Sequence, residues 1–163
     1  YTALVLAGGR PDFSKLGAYC REQPADPWVC GRGRKSEAPP GVTDWALVRD
    51  SRIKSAVLLA PALGPAFDRA GLADVRVPIR LYRPEADEVL RHPYNAEHVR
   101  LMLPRAPEYV ELPGAGHYVF LAPCSPVLAR QAPQICVDPP GVDRGALHAR
   151  LNAEIEDFFR RTL

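Results

Sequence analysis

The chain has 163 residues, 47% of them hydrophobic and 25% charged. That is enough for one domain with a core of its own, and far from the composition of a disordered segment. A formal net charge of +2 is too small to point to nucleic acid or an anionic membrane surface as partner. The longest apolar run, Ala56 to Leu63, is broken by Pro61, so no membrane span is expected.

In chain order, Tyr1 to Ala7 is apolar nearly all round, as a buried helix would be, and Gly8-Gly9 ends it. The chain has no initiator Met, no signal-peptide pattern and no helix start signal at this end. A buried helix without a cap is expected where a chain begins in the middle of a larger fold. Phe13 to Glu22 reads as a second short helix. Residues 23–43 form a Pro- and Gly-rich loop with a small basic knot at Arg32, Arg34 and Lys35. Asp44 to Val48 reads as a helical turn.

Ile53 to Ala60 hardly alternates and reads as a central strand buried on both faces, ended by Pro61. Ala62 to Leu72 is a turn plus a weak helix. Val77 to Tyr82 is a second strand, with Pro78 near its start, where a missing donor is tolerated. Pro84 to Glu88 is an acidic turn at its end, and His92 to Leu103 is helical. Tyr109 to Leu112 is a third strand, stopped by Pro113, Gly114 and Gly116 just before His117. Residues 122–140 are a second Pro-rich loop. Asp143 caps a last helix reaching about Arg161, with Leu147, Leu151, Ile155 and Phe158 as its core stripe.

Four cysteines fall into two local pairs, Cys20 with Cys30 and Cys124 with Cys136. Four allow three connectivities, and the local one staples both Pro-rich segments. That pairing implies an oxidising compartment, periplasmic or secreted; four reduced thiols would fit the cytoplasm instead. The spacings do not suit zinc, and no cofactor or metal is expected.

The alternation of strands and helices argues for an α/β fold with a mostly parallel sheet covered by flanking helices, in a single domain over 1–163. Functional groups gather at the carboxyl ends of the strands in such sheets. Asp87 and His117 each lie just past such an end, one helix-plus-strand unit apart. A carboxylate beside an imidazole fixes the ring's tautomer and stabilises the imidazolium formed during proton transfer. Asp87 read without a partner is a helix cap or an ion-pair acid, with Glu85 and Glu88 as fallback acids. His92 and His98 do not share a helix face at metal-binding spacing, and His148 reads as solvated. Leu63, Phe67, Tyr118 and Phe120 are candidates to line an acyl or ring pocket, or to fill the core.

Ser14, Ser36, Ser51, Ser55 and Ser125 are the only serines, and none sits in a G-x-S-x-G elbow. The order strand, acid, helix, strand, then G-x-G-H resembles the C-terminal part of an α/β-hydrolase. The stretches Arg83-Pro84-Glu85-Ala86-Asp87-Glu88-Val89-Leu90 and Pro113-Gly114-Ala115-Gly116-His117-Tyr118-Val119-Phe120-Leu121-Ala122-Pro123-Cys124 look like the bacterial dienelactone-hydrolase-like branch of that fold. Tyr1 to Leu4 looks like the helix that follows a nucleophile elbow. The resemblance implies a small ester or lactone as substrate, Asp87 as triad acid and His117 as general base. It also implies a partial hydrolase fold lacking its N-terminal strands. The nucleophile, serine or cysteine, and the oxyanion hole would lie upstream of Tyr1, in the missing N-terminal portion of the same protein. On that reading these residues alone do not turn over substrate, and the Ile53–Ala60 strand exposes an edge where an upstream strand belongs. The alternative is a binding or interaction domain that keeps hydrolase architecture without the chemistry.

Overall fold

The computed structural model describes residues 1–31 and 49–163. The basic knot, the Asp44–Val48 turn and most of the first Pro-rich loop lie outside these residues. Three strands, β1 (Ala56–Leu59), β2 (Ile79–Pro84) and β3 (Glu108–Leu112), form an open parallel sheet in the order β1-β2-β3. Ala56 pairs with Ile79, and Arg80 with Glu108.

Alternate residues of each strand enter two separate cores, the period-two signature of a sheet covered on both faces. Ala56, Leu58, Ile79 and Leu81 face one core. That core also takes Leu4 of α1 (Thr2–Leu6), Leu72 of α4 (Arg69–Leu72) and Val99 of α5 (Ala96–Met102). Tyr82 and Leu112 face the other core, closed by Val119 and by Leu151 of α8 (Arg144–Thr162). Of the expected stripe of α8, Leu151 belongs to this cluster and Leu147 and Ile155 lie against it, while Phe158 is also buried. Asp143 caps α8 as expected, its Oδ1 accepting the Ala146 N–H at 2.9 Å. Among the described residues no helix is long and apolar enough to cross a membrane.

Both local cysteine pairs are disulfide-bonded, which fits an oxidising compartment. Cys20–Cys30 joins α2 (Lys15–Glu22) to the single turn α3 (Pro27–Cys30).

Several expectations need correction. β1 lies at one edge of the described sheet, as expected of a strand with an open edge, but it is not buried on both faces: Leu59 at its end is exposed. An unalternating apolar run therefore marked the approach to a cavity rather than burial on both faces. α1 is not buried all round: Leu4 is buried while Leu6 is exposed. Residues 122–140 are not plain loop, because α6 (Pro126–Gln131) and α7 (Pro133–Cys136) each start on a proline at the first helical turn. The 92–103 helix begins only at Ala96.

Candidate active site

The carboxyl ends of β2 and β3 converge, as parallel winding requires. β2 ends at Pro84, and the chain turns through Glu85, Ala86 and Asp87. β3 ends at Leu112 and turns through Gly114, whose φ of +67° lies in the left-handed region that favours glycine. The chain then enters a single 3₁₀ turn, His117–Phe120. The two turns are sewn together by backbone bonds. Glu85 N–H donates to the Leu112 carbonyl at 3.0 Å and Ala86 N–H to the Ala115 carbonyl at 2.9 Å.

Asp87 and His117 meet at this junction, with His117 Nδ1 3.0 Å from Asp87 Oδ2. The Asp87 side chain is nearly sealed, at 4% exposure, while that of His117 keeps 23%. The second Asp87 oxygen, Oδ1, accepts the N–H groups of Val89 and Leu90 at 3.0 and 2.7 Å. The acid is thus fixed by its own turn before it meets the ring. A carboxylate can only accept, so Nδ1 carries a proton, and in the neutral ring that leaves the lone pair on Nε2.

The neighbouring glutamates do not replace Asp87; they brace the histidine's backbone. Glu85 Oε2 accepts the Gly114 N–H at 2.8 Å, and Glu88 Oε2 accepts the His117 N–H at 3.2 Å. A Cβ on Gly116 would come within 3.2 Å of the same Glu88 oxygen. The acidic run Glu85-Ala86-Asp87-Glu88 therefore supports one loop at three points.

Beside the imidazole lies a cavity of about 540 Å³. Of the expected pocket residues, Leu63, Tyr118 and Phe120 line it. Phe67 does not: it is 1% exposed and packs in the core with Leu4 and Leu72. Tyr118 stands edge-on to the His117 ring, with centroids 5.1 Å apart. Leu63 reaches the cavity on strained backbone, with φ of 61°, and Ala60 at the end of β1 has φ of 41°. The following residue, Gly64, admits no side chain there, since a Cβ would lie 2.4 Å from the Tyr94 carbonyl oxygen.

Trp28, Val29, Leu59 and Leu121, none of them among the expected pocket residues, also line the cavity. Trp28 and Val29 belong to the Pro-rich segment that composition alone marks as solvated loop. The local signal was present in Asp26-Pro27, a capping residue before a proline, which starts a helical turn.

No protein-family model, curated protein or solved structure matches this chain.

Of the remaining histidines, His92 is exposed, and His98 and His148 serve the scaffold. His98 Nε2 is 2.7 Å from the Phe67 carbonyl oxygen. His148, expected in solvent, is half-buried with Nε2 2.7 Å from the Val119 carbonyl oxygen, tying α8 to the turn that follows His117. Ser55 lies just before β1 with its hydroxyl buried and with no hydrogen-bond partner among the described residues.

Proposed function

We propose that this chain carries the acid–base half of a hydrolase acting on carboxylic esters or lactones. The observation that carries the reading is the 3.0 Å contact of His117 Nδ1 with the sealed Asp87 carboxylate beside an apolar cavity. Each part has a chemical task. Asp87 holds the imidazole with Nε2 free to accept and stabilises the imidazolium once the proton arrives. His117 takes the proton of a serine or cysteine nucleophile as that atom bonds to the substrate's carbonyl carbon. It then gives the proton to the departing alkoxide as the C–O bond breaks. In the second half-reaction the same ring takes a proton from water, whose oxygen attacks the acyl–enzyme. It returns that proton to the nucleophile as the acid product leaves. The cavity shields the reacting carbonyl from bulk water, which strengthens the electrostatic interactions within it.

No serine of this sequence is set in an elbow, and all four cysteines are bonded to one another. The reading therefore takes its nucleophile and oxyanion hole from a preceding portion of the same protein, in the manner of the dienelactone-hydrolase-like proteins that the two motif stretches resemble. The 163 residues alone are expected to be inactive.

The test is His117→Ala in the full-length protein, assayed with p-nitrophenyl butyrate. The expected result is a loss of kcat/KM of about 10³- to 10⁴-fold or more. Unchanged esterase activity overturns the assignment. A full-length protein without any esterase activity favours the binding-domain alternative.

A further inference from the structure

The wall facing the histidine is built with more care than a solvated insertion needs. Asp26 is 1% exposed, and its Oδ1 accepts the N–H groups of Trp28 and Val29, each at 3.0 Å. Its Oδ2 accepts the Tyr19 hydroxyl at 2.6 Å. Cys30, the last residue of the same turn, is bonded to Cys20. Val29 is thereby driven into the interior, while Trp28 stays 53% exposed on the cavity's edge. A rigidly held tryptophan left half-exposed at a concave apolar site is the arrangement that a ligand completes.

The charges around the cavity select what that ligand is. Among the described residues none that lines it carries a fixed charge. The turns that hold His117 are acidic: Asp87 touches the ring, while Glu85 and Glu88 accept the backbone N–H groups of Gly114 and of His117 itself. An anionic group entering here gives up water with no fixed cation among the lining residues to pair with it, and with the Asp87 carboxylate behind the His117 ring. A neutral carbonyl compound meets no such penalty. The volume falls within the roughly 300–1,000 Å³ of small-molecule sites, room for a medium-length acyl chain or one ring system.

We infer that this cavity takes the uncharged, apolar acyl or ring portion of a neutral ester, and that Trp28 is the specificity-determining residue that closes over it. The inference rests on the proposed role of His117 for the word ester, and its test is kept separate from that role.

The full-length protein is labelled with 5-fluorotryptophan, and the ¹⁹F signal of residue 28 is identified by its loss in Trp28→Phe. It is titrated with 3-decanone, the unhydrolysable ketone analogue of methyl octanoate, and with octanoate, which has the same chain and a negative charge. The ketone is expected to move the residue-28 signal and to bind at least ten-fold more tightly than octanoate. With ketone affinity measured by isothermal titration calorimetry, Trp28→Ala is expected to weaken binding at least ten-fold and to flatten the preference among p-nitrophenyl esters from acetate to octanoate. Trp28→Phe retains most of both. Equal or tighter binding of octanoate overturns the inference, as does ketone binding that is indifferent to Trp28→Ala. His117-dependent hydrolysis without a Trp28 effect overturns this inference alone. Ketone binding at Trp28 without any His117-dependent hydrolysis overturns the catalytic reading and leaves the apolar site standing.

Discussion

Asp87 does two jobs with two oxygens, and the jobs can be separated. Oδ1 terminates the N–H groups of Val89 and Leu90, and Oδ2 sets the tautomer of His117. In Asp87→Asn the carbonyl oxygen can keep the turn while the NH₂ faces Nδ1, which must then accept, and the ring proton moves to Nε2. On the proposed catalytic reading, the expected outcome is an unchanged fold, exchanged imidazole ¹⁵N shifts and a loss of esterase activity of about 10⁴-fold in the full-length protein. Asp87→Ala also strands the two turn N–H groups, lowering stability by about 1–2 kcal/mol. An Asn variant that keeps its Nδ1 proton by NMR would contradict the orienting role. Asp87 and His117 were legible as a pair because each follows the end of a parallel strand, where winding alone brings side chains together. Phe67 was not: its sequence neighbourhood suits a pocket or a core equally, and only the packing of α1 and α4 against it decides. Trp28 was invisible for the converse reason, since it lines the cavity together with Leu63 and Tyr118, which lie more than thirty residues further along the chain.

Elements that carry their own start signals were the easiest to read. α8 has a cap, a stripe at helical spacing and basic residues in its last turn, and its bounds match the sequence within a residue or two. The 122–140 segment shows the opposite bias. Its prolines suggest loop, although Ser125-Pro126 is a helix start, with Ser125 Oγ accepting the Leu128 N–H at 3.3 Å. The two disulfides close loops of similar length, at sequence separations of 10 and 12, so the chain-entropy argument gives each about 3 kcal/mol. What they pin differs. The first holds elements that bury Tyr19 and Val29 in the interior, whereas α6 and α7 bury no residue at all. Cys20→Ser/Cys30→Ser is therefore expected to lower the global Tm more than Cys124→Ser/Cys136→Ser. The second double variant should instead speed hydrogen exchange locally within 126–136. Equal losses of Tm would show that the second Pro-rich segment belongs to the same cooperative unit.

The whole molecule depends on α8 staying docked, because that helix roofs the second core and His148 ties it to the turn behind His117. The docking is polar as well as apolar. Glu154 Oε2 accepts the Tyr82 hydroxyl at 2.8 Å and Arg80 Nη2 at 2.8 Å, while Arg80 Nη1 donates to Glu108 at 2.6 Å. Arg161 reaches Glu108 from the far end of the same helix. Burial pushes the Tyr82 phenol up, reinforced by its bond to Glu154, to about 12 from an ordinary 10. Burial opposes ionisation of Glu154, but the Tyr82 hydroxyl and the Arg80 guanidinium outweigh it and hold the carboxyl below its ordinary 4.5. The signs then follow from linkage. A raised phenol contributes fully below pH 10 and loses its contribution as pH climbs from 10 towards 12. A depressed carboxyl contributes fully above pH 4.5 and loses its contribution as pH falls below that value. Stability should be flat with respect to this pair between those limits and decline outside both. Glu154→Gln is expected to cost about 1–2 kcal/mol at neutral pH, or roughly 2–8 °C in Tm for a chain of this size, and to shrink the acid-side decline. Tyr82→Phe shrinks the alkaline one. The check is Tm measured from pH 3 to pH 11 for both variants beside the parent. If neither variant changes the limb assigned to it, the network is a surface decoration, and α8 is held by Leu151 and Phe158 alone.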